Sequence, residues 1–210
     1  MSGRVVSVNV SLARTIERPG GDVTTGIFKQ PVAGKVPLRG VSLLGDEQAD
    51  RTVHGGPDRA VYAYAAEDYE WWREVVGREL SPGKFGENLT LSGVDVSRSL
   101  IGERWRVGTA TLQVTSPRIP CYKLALALKD PHFTRAFAQA LRPGSYLSVV
   151  AEGEFGAGDT VEIVSAPSHG LSVAEMARIF LFERSRLRDM LVAPELPASW
   201  RGWVIEQTAK

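Results

Sequence analysis

Glycine and proline interrupt the apolar segments in the first part of this chain so often that long helices are excluded there. Between residues 18 and 45 they separate short apolar pieces such as residues 26–28 and 35–38. Short apolar pieces with turn residues between them are typical of the strands of a barrel. We therefore predict a β-barrel in this part of the chain.

The apolar pattern extends the mainly β prediction to about residue 166. In the first strand, alternation leads us to expect Val6, Val8 and Val10 on one face. A hairpin is predicted over residues 104–114, with its turn at Gly108. The other predicted elements are strands at residues 60–64, 146–150 and 160–164, and short helices at residues 67–76 and 133–141.

The pattern changes after Pro167 and becomes helical. Ser172 and Glu175 have the spacing of a capping box, in which the Ser172 hydroxyl accepts from the Glu175 N–H and the Glu175 carboxylate can reach back. We therefore predict a β-barrel domain over residues 1–166 and a small α-helical domain over residues 167–210.

Composition and charge exclude several classes of function. The formal net charge is +1, so no strong field draws the chain to nucleic acid or to a membrane. The chain has no run of about 18 apolar residues, and the apolar stretch at residues 5–10 is too short for a signal peptide. We predict a cytoplasmic protein with no nucleic-acid or membrane partner. Motifs for phosphate-binding loops, dinucleotide folds, zinc proteases and paired Cys-x-x-Cys sites are absent from the sequence.

The first of three polar clusters lies at residues 45–60, where carboxylates, a histidine and an arginine are set among glycines. Glycine permits backbone geometry that can bring such side chains around a small ligand. The alternative is a solvated loop in which aspartate and glycine only form turns. The candidate residues in this cluster are Asp46, Gln48, Asp50, His54 and Arg59.

The other two clusters lie at residues 85–90 and 116–124. The former contains Asn88 and is a weak signal by itself. The latter contains Cys121, the one cysteine of the chain, on a proline-stiffened segment. Neighbouring cations favour a thiolate, which is the form that binds soft metals, whereas an inert buried cysteine is the alternative. The cations beside it are Arg118 and Lys123.

Together, the three clusters resemble the signature segments of MOSC domains, named for the C-terminal domain of molybdenum cofactor sulfurases. The most specific part is His-Gly-Gly-Pro-Asp-Arg-Ala at residues 54–60. The resemblance covers nearly the whole chain. Its closest subtype is the stand-alone YiiM-like group, because the tail from Ser168 is similar to the small three-helix domain of that group.

The resemblance implies a MOSC-type β-barrel with a molybdenum cofactor (Mo-molybdopterin) at its mouth and Cys121 as the metal ligand. It leads us to predict Lys29, Arg59, Arg118 and Lys123 as partners of the cofactor phosphate, since cations suit phosphate oxygens. Larger relatives have an additional N-terminal domain for which this chain has no room. The residues predicted to bind the pterin or shape the substrate pocket are Asp46, Gln48, Asp50, His54 and Asn88, with His54 and Asp50 also as proton donors.

Three functions follow from these predictions. The leading hypothesis is a reductase of N-hydroxylated compounds, including hydroxylamino base analogues, that receives electrons from a separate reductase. The second is a carrier of molybdenum cofactor, or of sulfur on Cys121. The third is an interaction module in which Cys121 is structural.

Overall fold

A computed structural model describes residues 2–18, 21–49 and 55–209. Two 3-10 segments accompany the regular elements, at Pro57–Arg59 and Arg184–Val192. The strands are β1 (Ser2–Val10), β2 (Arg14–Ile16), β3 (Val23–Thr25), β4 (Gln30–Val32), β5 (Val36–Arg39), β6 (Ser42–Leu43), β7 (Val61–Ala65), β8 (Leu89–Ser92), β9 (Arg104–Val107), β10 (Ala110–Pro117), β11 (Ser145–Ala151), β12 (Gly153–Phe155) and β13 (Thr160–Ser165). The helices are α1 (Ala66–Val76), α2 (Tyr122–Leu128), α3 (Phe133–Ala140), α4 (Val173–Phe182) and α5 (Ala198–Thr208).

Seven strands close into a barrel, which confirms the predicted mainly β fold. Their order is β13-β9-β10-β11-β7-β8-β1, and β1 pairs again with β13 to complete the ring. The β7–β8 pair is parallel, whereas the other pairs of the ring are antiparallel. The predicted hairpin is β9–β10, in which Val107 faces Ala110 across a turn where Gly108 has a φ of 55°. Glycine adopts this left-handed geometry without the steric cost of a side chain.

The first strand differs from its prediction because it contains a β-bulge. The pairing of β1 with β8 shifts between Val5 and Ser7. Since a bulge places two residues opposite one, it reverses the alternation beyond it. Val6 is therefore 43% exposed whereas Val8 is fully buried, and the prediction that they share a face is wrong. Ser7 and Asn9 are also buried, and Asn9 Nδ2 donates to the Thr90 hydroxyl at 3.2 Å.

Helices α1, α2 and α3 surround an aromatic cluster beside the barrel. Phe85 stacks on Tyr64 with ring centroids 4.6 Å apart, and Trp72 packs on Phe133 at 4.7 Å. The Trp72 Nε1–H donates to the Tyr64 hydroxyl at 2.8 Å, so its one polar group is satisfied although the ring is buried. This cluster fixes the position of Phe85 and of the polar loop that follows it.

The C-terminal helices pack directly on the barrel. The Ser172 Oγ accepts from the Glu175 N–H at 3.1 Å, which confirms the predicted helix cap, and the Glu175 carboxylate pairs with Arg186 at 2.9 Å. Ile179 of α4 belongs to the same buried apolar cluster as Trp105 of the barrel. Within the described part of the chain, no helix is long and apolar enough to cross a membrane.

Candidate functional site

A polar pocket of about 90 Å³ lies where several barrel strands begin or end. Asn88 precedes β8, Arg118 follows β10, and Tyr62 pairs with Tyr146 across β7 and β11. Loops at strand ends can carry functional side chains because the strands hold them rigidly. The pocket contains Cys121 and all seven residues predicted to bind the cofactor, which are Lys29, Asp46, Gln48, Arg59, Asn88, Arg118 and Lys123. Their contacts with a ligand remain predictions, and Asp50 and His54 lie outside the described residues.

One wall of the pocket is a buried ion pair with its own hydrogen bonds. The Lys29 ammonium contacts Asp46 Oδ1, which also accepts from the Ser11 N–H at 2.9 Å. Asp46 Oδ2 accepts from Asn88 Nδ2 at 2.9 Å, and Asn88 Oδ1 accepts from the Tyr62 N–H at 3.1 Å. Burial lowers the pKa of Lys29, and the Asp46 carboxylate opposes that shift. Asp46 therefore serves first to hold a buried cation at the pocket wall.

The Gln48 side chain forms hydrogen bonds with the segments on both sides of it, at Val41 and at Gly56. Its Nε2 donates to the Val41 carbonyl at 2.8 Å, and its Oε1 accepts from the Gly56 N–H at 2.9 Å. A Cβ at Gly55 would clash with Gln48 Oε1, so any side chain there would require Gln48 to move. These contacts assign Gln48 a part in shaping the loop, because its amide is already engaged within the protein.

Arg118 is a buried cation, and one of its donors has no acceptor among the described residues. It is 7% exposed, its Nη1 donates to the Phe85 carbonyl at 2.7 Å, and its guanidinium lies 5.2 Å from the Tyr62 ring centroid. Among the described residues, Arg118 Nε is buried and has no hydrogen-bond partner. Burial acts to lower the pKa of Arg118, but its neighbours, with Tyr146 foremost, outweigh burial and raise the pKa. The guanidinium thus stays charged, and a ligand with anionic oxygens would satisfy it.

Glu87 supports the same pocket, although sequence reasoning missed it. The carboxylate is fully buried and accepts from the Tyr69 hydroxyl at 2.6 Å, the Gly83 N–H at 2.7 Å and the Thr90 hydroxyl at 2.8 Å. Burial raises the pKa of Glu87, and these hydrogen bonds counteract the shift. A carboxylate between Gly86 and Asn88, within the polar cluster at residues 85–90, was the available signal. Its burial, however, depends on the closed barrel and the aromatic cluster.

Cys121 lies between the polar pocket and a second, apolar groove. It immediately precedes α2 and is partly exposed. In the described part of the chain, no group of three or more histidine, cysteine, aspartate or glutamate side chains is arranged to hold a metal.

The apolar groove has a volume of about 420 Å³. It shares Arg59, Cys121 and Tyr146 with the polar pocket, so the two cavities meet at the thiol. One side comes from the segment after β10 and the other from the C-terminal helices. Its remaining lining residues are Pro117, Ile119, Pro120, Phe180, Ser199, Trp200 and Trp203.

Comparison with known proteins now decides the family. A model of the MOSC domain matches residues 50–162, which is more than half of the chain. The chain belongs to the MOSC domain family. Within that family it is a YiiM-like protein, because the crystal structure of YiiM from Geobacillus stearothermophilus superimposes with a TM-score of 0.80 at 34% identity, over 98% of each chain.

Two curated proteins are also similar to this chain in sequence. YflK of Bacillus subtilis (strain 168) is 37% identical over 200 residues, which cover 94% of this chain and 90% of YflK. A protein of Gibberella moniliformis (strain M3125 / FGSC 7600) named "Reductase" is 31% identical over 85% of this chain, which matches only 32% of that longer protein. MOSC domains are associated with binding of the molybdenum cofactor.

Proposed function

We propose that this MOSC protein is a molybdenum-dependent enzyme that reduces N-hydroxylated compounds. The observation that supports the proposal most directly is the position of Cys121 at the junction of the cationic pocket and the apolar groove. This arrangement separates a place for an anionic cofactor from a place for an organic substrate, with one soft metal ligand between them.

The residues of the polar pocket suit the anionic phosphate end of such a cofactor, because a pocket of about 90 Å³ lined by cations can hold a small anionic group. The buried Arg118 Nε has no acceptor in the part of the chain that the structure describes, and a cofactor phosphate would provide one. Lys123 and Arg59 line the same pocket and can add positive charge. Lys29 is already paired with Asp46, so we assign it the role of a fixed positive charge in the wall of the polar pocket. The single thiolate of Cys121 suits a metal whose other ligands come from the cofactor.

The reaction class follows from the group that the pocket would hold. Bound there, the molybdenum centre would supply two-electron chemistry that reduces R–NHOH to R–NH₂, with two protons taken up and the oxygen leaving as water. The chain would hold the cofactor through Cys121 and the cations and orient the substrate in the groove. His54 and Asp50 remain the proposed proton donors. A separate reductase would supply the electrons, and we propose that both proteins act in the cytoplasm.

Elemental analysis of molybdenum tests the metal site. Wild type, Cys121→Ser and Cys121→Ala would be purified from cells that make the cofactor, with thermal melting curves to show that each is folded. We expect about one molybdenum per wild-type chain and almost none in either variant, because the single protein ligand is lost. Metal retained at the wild-type level in both variants would contradict the role of Cys121.

Turnover then separates the reductase from the carrier. Metal-loaded protein would be mixed with an N-hydroxylated amine and reduced methyl viologen, and the oxidation of the dye would be followed. Reduction of the amine that disappears in Cys121→Ser supports the enzyme. Bound metal without turnover favours a carrier of the cofactor, for which the partial exposure of Cys121 provides access. Absence of metal from the wild type favours a sulfur carrier or a binding role.

A further inference from the structure

We propose that Phe180 and Trp203 of the C-terminal helices are the specificity-determining residues of this enzyme. In this proposal they select a flat aromatic ring on the substrate and hold it beside Cys121. The inference rests on the proposed function and deepens it by assigning the organic half of the substrate to the apolar groove. Both residues lie outside residues 50–162, the segment that matches the family model.

The groove has the size and the position that this role requires. Its volume of about 420 Å³ lies within the range of roughly 300 to 1,000 Å³ that is usual for small-molecule sites. Because it meets the polar pocket at Cys121 and Tyr146, a group reacting near the thiol can extend the rest of its molecule into the groove. The cofactor pocket and the substrate groove are thus adjacent but chemically different.

The lining of the groove selects uncharged planar groups. Among the described residues that line it, Arg59 is the one with a charged side chain, and its guanidinium lies 5.7 Å from the centroid of the Tyr146 ring. A charged substrate group would lose its hydration here without gaining a partner of opposite sign along most of the groove. Aromatic faces favour another ring in stacked or edge-to-face contact, and the opposite side offers proline and isoleucine.

The aromatic side of the groove is rigid. The rings of Phe180, Trp200 and Trp203 contact one another, with centroid distances of 5.2, 5.3 and 5.8 Å. Arg184 lies 4.9 Å from the Phe180 ring and 5.7 Å from the Trp203 ring. Mutual packing fixes the orientation of these rings before any ligand arrives, which reduces the entropic cost of binding.

The three aromatic residues divide into an anchor and a contact surface. Trp200 is 9% exposed and belongs to the main apolar core, so its first role is structural. Trp203, three residues further along α5, lies on the same side of the helix and remains partly exposed, as does Phe180. Phe180 and Trp203 therefore expose apolar surface to a ligand, whereas the Trp200 ring is buried in the core.

A matched pair of ligands tests the inference by NMR titration. N-phenylhydroxylamine and N-cyclohexylhydroxylamine carry the same reacting group on a flat and on a saturated ring. We expect Trp203→Leu to lower the preference for the phenyl compound about 2- to 10-fold relative to wild type, which corresponds to the usual strength of an aromatic pair. Trp203→Phe should keep most of the preference, because it restores a flat face.

A second tryptophan provides the matched control. Trp71 is also partly exposed, but it lies on α1 and packs against Trp72 and Arg142. Trp71→Leu should leave the ratio of the two affinities unchanged. An unchanged ratio in Trp203→Leu, with a normal melting curve, overturns the inference, and so does an equal loss in Trp71→Leu.

The same compounds distinguish failure of the inference from failure of the proposed function. With reduced methyl viologen and metal-loaded protein, Trp203→Leu should lower kcat/KM for the phenyl compound more than for the cyclohexyl compound. Turnover of both compounds with the same ratio in wild type and variant refutes the specificity role alone. Ring-selective binding with no turnover of either compound supports the groove assignment and refutes the reductase.

Discussion

The two cavities that meet at Cys121 are built in opposite ways. The polar pocket uses the buried cations Lys29 and Arg118 from barrel loops, each with specific partners, and the buried side chain of Glu87 lies behind it. The apolar groove uses aromatic rings of the C-terminal helices, which need only shape and contact. A pocket for an anion must hold charges at definite positions, whereas an apolar groove can change its shape through one side chain. We infer that the pocket side sets the chemistry and that the groove side sets the substrate.

This difference has an energetic side. A buried charge costs folding free energy unless a partner compensates it, so removing one partner has a large effect. An aromatic side chain in the groove contributes to stability through its own burial. Replacing it therefore changes the packing of its immediate neighbours only. Substitutions in the two regions therefore should differ in the size and the pH dependence of their effects.

The largest effect on stability is expected from Asp46→Ala. This change leaves the buried Lys29 ammonium without its carboxylate and removes one of the two acceptors of Asn88 Nδ2, the other being the Asn9 carbonyl. Breaking a buried pair in this way costs about 3 to 5 kcal/mol of unfolding free energy, measurable by urea denaturation. Glu162→Ala, which removes an exposed ion pair with Arg106, is the control and should cost less than about 1 kcal/mol.

A double variant sharpens the same test. Replacing both partners, as Lys29→Met with Asp46→Leu, should restore much of the stability because no buried charge is left alone. If Asp46→Ala costs no more than Glu162→Ala, the polar pocket does not depend on its buried pair and the contrast with the groove fails.

A smaller effect, but one that depends on pH, is expected from Glu87→Gln. The amide nitrogen of glutamine would face backbone donors such as the Phe85 N–H, which lies 3.2 Å from Glu87 Oε2, so the variant should lose about 1 to 3 kcal/mol in acid. Burial raises the pKa of Glu87 above its usual 4.5, so the folded wild type binds this proton more tightly than the unfolded chain does. The resulting stability is complete below pH 4.5 and is lost as pH rises through the raised pKa.

The measurement for Glu87 is a series of urea denaturation curves at pH values from below 4.5 upward. The stability advantage of the wild type over Glu87→Gln should narrow as the pH rises. Asp68, whose pKa burial also raises, is present in both proteins, so its contribution to the difference cancels. A difference that is constant with pH would show that Glu87 does not titrate with folding in this range.

The smallest effect is expected on the groove side, from Ser172→Ala. This substitution removes the hydroxyl that accepts from the Glu175 N–H at the start of α4, the helix that carries Phe180. We expect a loss of about 1 kcal/mol in unfolding free energy, without the pH dependence that is predicted for Glu87. Hydrogen exchange should quicken in the first turn of α4 and stay unchanged at β7. If the substitution changed the exchange rates in α4 and β7 by the same factor, the cap would not act locally.

The sequence was informative wherever a signal is local. The hairpin at β9–β10, helix α1 and the cap at Ser172 follow from residue periodicity and turn chemistry, and the structure has all three. The family resemblance identified the candidate pocket residues, and all of those within the described chain line one cavity. The bulge after Val5 was not predicted, because it depends on how β8 pairs with β1.

Sequence alone thus determined the class of the fold and the residue types available for chemistry, since turns, alternation and caps act within a few residues. Only the tertiary structure decided which charges are buried and which surfaces meet at Cys121. Glu87 becomes a buried carboxylate because the barrel and the aromatic cluster exclude water around it. Trp203, far from Cys121 in sequence, reaches the same groove because α4 packs on β10 and its Phe180 contacts the tryptophan rings of α5. Burial and long-range proximity arise when the strand ring closes and the helices dock, and no short segment encodes them.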